Sequence, residues 1–165
     1  MSVVQTIADA VQPWADFYAH HKPVSAALTW GHLSALLLGG GAAVASDRRV
    51  LHLTGTGTEE RRLRLRDFSD THRVVLTALS ISALTGASML LSDVKTFLVS
   101  PVYWTKMGLI VLLLANGYGL LRTVHRLGND PSPANRLWTR FSYGAAISIA
   151  LWLASVFAGV LLVNL

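Results

Sequence analysis

Four stretches of this chain each run for about the length needed to cross a bilayer with almost no charge. Val24 to Ala45 and Phe141 to Val163 contain no Asp, Glu, Lys or Arg; neither does Val74 to Ser92, and Tyr103 to Leu121 holds only Lys106. A hydrocarbon core of about 30 Å takes about 20 helical residues. Inside it only helices or closed barrels satisfy every backbone group. Barrel strands would show short alternating segments, whereas these stretches are apolar all round in Leu, Ala, Gly and Ser. Helices of a soluble bundle would each carry a polar face, and the last stretch has only Ser142, Tyr143, Ser148 and Ser155 to make one. Composition agrees: 14% of the 165 residues are charged, against about 25% in an average soluble domain. The sequence predicts an all-α, integral membrane four-helix bundle in one domain, 1–165. Its spans fall at about 24–45, 72–92, 103–122 and 139–163.

The few charges predict orientation. Of 14 Lys and Arg residues, 11 lie in two segments. Arg48, Arg49, Arg61, Arg62, Arg64, Arg66 and Arg73 lie between or beside the first two spans. Arg122, Arg126, Arg136 and Arg140 lie between the last two. The opposite side has only Lys22, Lys95 and the embedded Lys106. Basic residues collect on the cytoplasmic side, so a multi-pass protein of the bacterial inner membrane is expected, with both termini on the non-cytoplasmic side. The net charge of +5 is a topology signal that also attracts anionic lipid, and it gives no reason to expect a nucleic-acid partner. With no basic n-region at the start, the first span is expected to act as the targeting signal. Cysteine is absent, which excludes disulfides and thiolate metal sites within this chain.

Before the first span, 3–20 spaces Ile7, Val11, Trp14, Phe17 and Tyr18 at helical intervals among Asp9, Gln12 and Asp16. This predicts an amphipathic interfacial helix, broken or begun at Pro13. Trp14, Phe17, Tyr18, Tyr103 and Trp104 then form an aromatic belt. Leu53-Thr-Gly-Thr-Gly-Thr-Glu reads as a turn, with too few glycines for a phosphate loop. Asn129-Asp-Pro-Ser-Pro reads as a second turn. Gly39-Gly-Gly, Gly86, Gly117, Gly119, Gly144 and Gly159 suit close helix approach, and Gly39 to Gly41 also offer room beside a flat cofactor. Asn116 is expected to bond between helices.

Ionisable side chains within a span are costly and become functional candidates. His32 lies about 12 Å into the first span, and Lys106 about 4–5 Å into the third. These helices are parallel, so both groups fall in the outer half. His32 reads either as a ligand or as an imidazole bonded to a neighbouring helix. Lys106 reads either as a side chain reaching to headgroups or as a cation turned to an inner partner. His72 and His125 lie at the inner boundary of antiparallel spans, where two imidazoles facing each other can hold a haem iron or another metal. Depth argues against pairing His32 with His72. His20 and His21 form an outer pair with weak metal-binding character. No predicted span contains Asp or Glu, which argues against a carboxylate-based proton or cation path.

Ser100-Pro-Val-Tyr-Trp-Thr-Lys-Met-Gly-Leu resembles the third-helix entry of copper-resistance-D-like small bacterial four-helix membrane proteins. Trp30-Gly-His-Leu-Ser-Ala-Leu and Leu84-Thr-Gly-Ala-Ser-Met-Leu are similar to that group's first and second helices. A His in helix one with Trp-x-Lys opening helix three also resembles, more distantly, the four-helix bacterial protoporphyrinogen oxidase. That resemblance implies functional roles for His32 and Lys106 and a bound haem. The expected function is a haem-binding or redox-associated membrane protein with haem b, working alone, as a homo-oligomer, or as a subunit of a larger membrane complex. A non-catalytic accessory role and copper handling through His20, His21, His32 and Met89 stand beside it.

Overall fold

A computed structural model describes residues 3–52, 58–129 and 135–164. The described residues form six helices and no strand: α1 (Val3–His20), α2 (Lys22–Leu51), α3 (Thr58–Ser92), α4 (Val94–Val99), α5 (Pro101–Asn129) and α6 (Asn135–Asn164). The fold is all-α. Four helices contain stretches long and apolar enough to cross a membrane: Lys22–Leu51, Asp70–Ser92, Pro101–Gly128 and Arg136–Asn164.

The helices outrun the predicted spans. α2 continues six residues past Ala45, and α3 begins 14 residues before position 72. The apolar runs mark only what suits hydrocarbon. Arg, Glu and Leu are good helix formers, so the backbone stays helical after the apolar run ends. Helix α1 runs straight through Pro13, and Pro13 is neither its start nor a break. The turns expected around 53–57 and 130–133 lie outside the described residues, while Thr58 and Glu59 already belong to α3.

Local chemistry sets the helix starts. Pro23 sits in the first turn of α2 and Pro101 opens α5, where a missing N–H costs nothing. Asp93 caps α4 by accepting from the Thr96 amide at 3.2 Å. The Ser100 hydroxyl accepts from the Tyr103 amide at 3.4 Å at the head of α5.

The four long helices form a closed but uneven ring. α2 packs along α3, α5 packs along α6, α2 meets α6, and α3 and α5 close the ring with the thinnest of these four contacts, while the diagonal pairs α2–α5 and α3–α6 do not pack among the described residues. The order in space is therefore α3, α2, α6, α5. Helices α1 and α4 cover one end, called here the α1 end. There Trp14 donates its indole N–H to the Ser88 carbonyl of α3 at 2.9 Å. The other end carries the arginines.

Small residues make the close approach of these helices possible. A Cβ on Gly39 would stand 2.6 Å from the Ala78 Cβ of α3, and one on Gly144 would stand 2.7 Å from Leu120 of α5. Beside that second contact, Asn116 donates its amide to the Gly144 carbonyl at 2.9 Å, the interhelical bond expected from the sequence. The arginine-end core packs Val50, Phe68, Leu120, Val124, Leu127, Phe141 and Ala145. Phe141 and Ala145 are 1% and 0% exposed, and the Phe68 and Phe141 rings meet edge to face at 5.2 Å. A second cluster of Ala43, Val75, Leu113 and Trp152 lies further toward the α1 end. The outward faces are as apolar as these cores: Trp30, Leu37 and Leu84 are 73%, 75% and 71% exposed.

Candidate functional sites inside the bundle

Polar side chains gather inside the bundle at two levels. The first, toward the α1 end, is centred on His32. Its Nδ1 lies 2.9 Å from the Ser82 carbonyl and 3.1 Å from the Thr85 hydroxyl of α3. A carbonyl only accepts, so Nδ1 carries the proton and donates. The Thr85 hydroxyl in turn donates to the Ile81 carbonyl at 2.8 Å. In the neutral ring this leaves Nε2 as a bare lone pair. Gly86 makes room for the imidazole, because a Cβ there would stand 3.0 Å from His32 Cε1.

Lys106 of α5 stands within electrostatic reach of His32. Its side chain turns inward against α6, where a Cβ on Gly159 would stand 3.2 Å from Nζ. The ammonium thus lies inside the bundle rather than reaching out beside the exposed Trp104, whose indole N–H is engaged by the Leu98 carbonyl at 3.0 Å. His32 and Lys106, both singled out in the sequence, lie in the same half of the bundle, His32 turned to α3 and Lys106 to α6.

The second level is a cavity of about 200 Å³ among α2, α3, α5 and α6, toward the arginine end. Aliphatic and aromatic groups make most of its wall, including Leu79, Leu113 and Trp152. Asp47, Ser148, Thr71 and His72 supply its polar part. Asp47 is 3% exposed. It accepts a hydrogen bond from the Ser148 side chain, and its Oδ2 has no hydrogen-bond partner. The His72 ring lies against α5, with its Cε1 3.5 Å from where a Cβ on Gly117 would stand.

Asp47 corrects the expectation of a bundle without acidic groups. It sits two residues past the predicted end of span one, yet α2 carries it into the interior. The signal was a stripe of small residues at intervals of four, Ala35, Gly39 and Ala43, whose next member is Asp47. The stripe puts Asp47 on the buried face, while Arg48 and Arg49 are exposed.

The structure does not bring the remaining candidates together. His72 contacts α5 at Gly117, whereas His125 lies eight residues further along, about 12 Å at the helical rise, and is exposed. His32 meets α3 at Ser82, ten residues or about 15 Å from His72, in keeping with the depth argument. His20 and His21 are exposed, and each donates Nδ1–H to the carbonyl four residues back, Asp16 and Phe17, at 2.7 and 2.9 Å. The His21 ring also stacks on Phe17 at 4.1 Å. Among the described residues no three His, Asp or Glu side chains form a group able to hold a metal ion. The room that Gly39 and Gly40 were expected to leave for a flat cofactor is filled by Ala78 and Trp152, while Gly41 has nothing near it.

No protein family, curated protein or solved structure matches the chain.

Proposed function

We propose that this chain is a multi-pass protein of the bacterial inner membrane, with both termini outside the cytoplasm, whose His32–Lys106 site binds haem b in a redox role. Support for the bilayer comes from the outward faces, since water does not tolerate rows such as Trp30, Leu37 and Leu84 at this exposure. The arginine end faces the cytoplasm by the distribution of basic residues, and α1 lies along the outer headgroups as an interfacial helix.

One observation carries the haem reading: His32 donates Nδ1–H to the Ser82 carbonyl at 2.9 Å. Metal-binding histidines characteristically give their second ring nitrogen to such an acceptor, which fixes the tautomer and the ring's direction. His32 would therefore offer Nε2 to the haem iron, its ring orientation already set by the bond to Ser82. Lys106 supplies a cation for a carboxylate of the group. Haem in such a site supplies one-electron chemistry. The chain's own part is to hold the imidazole, to place a positive charge beside it, and to exclude water by close packing of α2, α3 and α6.

The test is to purify the protein in detergent and record reduced-minus-oxidised spectra. A Soret band and an α-band are expected, lost in His32→Ala and kept in His72→Ala. Absence of both bands, with no extractable porphyrin, overturns the reading.

A further inference from the structure

We propose that the cavity holding Asp47 and His72 is a second binding site, which takes the hydroxyl-bearing ring of a membrane-soluble quinol.

The first argument is the carboxylate. Asp47 is 3% exposed, and one of its oxygens accepts nothing. A buried polar atom without a partner costs about 1–3 kcal/mol, and one lining a cavity points to a donor that belongs there. Water alone is a poor occupant. The space equals roughly six or seven waters' share of liquid volume, but a buried water needs two to four polar partners. Most of this wall is Leu, Val, Phe and Trp.

The second argument is the entrance. The cavity lies inside the ring and borders its loosest seam, between α3 and α5. The outward parts of its lining are Leu76, Leu114 and Tyr118, which are 44%, 46% and 59% exposed. On the bilayer placement proposed above, on which this inference rests, those residues face acyl chains. A ligand therefore arrives from lipid. A charged amine, the other natural partner of a carboxylate, pays heavily to travel through hydrocarbon, whereas a neutral hydroxyl does not.

The third argument is the spacing of polar groups on opposite walls. Asp47 and Ser148 join α2 to α6, and His72 projects from α3 against Gly117 of α5. A ring with hydroxyls at both ends offers a donor to Asp47 Oδ2 and a second polar contact to His72. Trp152 and Phe68 line the space between, and aromatic walls suit a flat ring.

The experiment uses the full chain, haem-free, in lipid nanodiscs under anaerobic conditions, with a ten-carbon-tailed benzoquinol as probe and titration calorimetry as readout. The wild type is expected to bind it. The dimethyl ether of the same quinol, which has no donor, is expected to bind at least tenfold more weakly. Asp47→Asn is expected to weaken quinol binding at least tenfold, and Gly117→Leu, which fills the space, to abolish it. His32→Ala is expected to bind as the wild type does, so failure of the haem reading leaves this result standing. The inference is overturned if the wild type does not bind, if quinol and ether bind alike, or if Asp47→Asn binds unchanged. Should Asp47→Asn fail to fold, the ether comparison on the wild type decides.

Discussion

Gly159 of α6 leaves the space into which Lys106 of α5 extends: a Cβ at 159 would stand 3.2 Å from the ammonium nitrogen. The contact is with the tip of a flexible side chain, which can shift by a few tenths of an ångström. At Gly39 the same built atom would meet the Ala78 Cβ at 2.6 Å, and there only a helix shift relieves it. Gly159→Ala is therefore expected to change stability by less than about 0.5 kcal/mol. Gly39→Ala is expected to cost about 1–3 kcal/mol, as overpacking does. Thermal unfolding of the two variants in one detergent checks the contrast.

Asp47 and Phe141 make a second contrast in stability. Phe141 is 1% exposed at the centre of the arginine-end core, so Phe141→Ala is expected to cost about 3–5 kcal/mol. Asp47 is almost as buried but leaves Oδ2 without a partner. Asp47→Ala removes that unmet acceptor and is expected to unfold at no lower temperature than the wild type. A large loss of stability in Asp47→Ala would show that the carboxylate holds the fold together.

Asn116 tests what one hydrogen bond between helices contributes. Its amide reaches the Gly144 carbonyl at 2.9 Å, and bonds of this kind within membranes average about 0.6 kcal/mol and reach about 1.7. Asn116→Leu is expected to fall in that range, or somewhat above it if its bulkier methyl groups crowd Gly144. Asn116→Ala separates the two effects.

Orientation is open to direct labelling because the chain has no cysteine. A single Cys at Asp16, on the exposed side of α1, is expected to react with a membrane-impermeant thiol reagent in intact cells. A single Cys at Arg126 is expected to react only after permeabilisation. The reverse pattern would invert the topology.

The four apolar helices were legible because hydropathy reports directly on what each residue can face. His32 and Lys106 were legible for the opposite reason, as costly groups inside those runs. Their placement in the same half of the bundle followed from the parallel run of α2 and α5, whereas the neighbours they meet, Ser82 and Thr85 for His32 and Gly159 for Lys106, depend on how the helices rotate about their axes. Asp47 was passed over because an uncharged run ends at its first charge, whereas a helix ends where its backbone bonds do. Its place inside is set by the stripe that begins at Ala35, Gly39 and Ala43, which a count of charges does not see. The early start of α3 escaped for the same reason. His72 and His125 were paired by their depth in sequence, but His72 leans back along α5 to Gly117 and His125 turns outward.

The order α3, α2, α6, α5 makes the protein two helical hairpins bound like a book. The spine runs from Gly40, where a Cβ would stand 3.1 Å from the Trp152 ring, to Asp47 and Ser148. At the fore-edge, α4 ties α3 to α5 at the α1 end, and Phe68 of α3 shares a core with Leu120 and Val124 of α5 at the arginine end. A side chain added at Gly40 would push on Trp152 at the spine, and Trp152 is itself a wall of the cavity whose opening Leu76, Leu114 and Tyr118 flank.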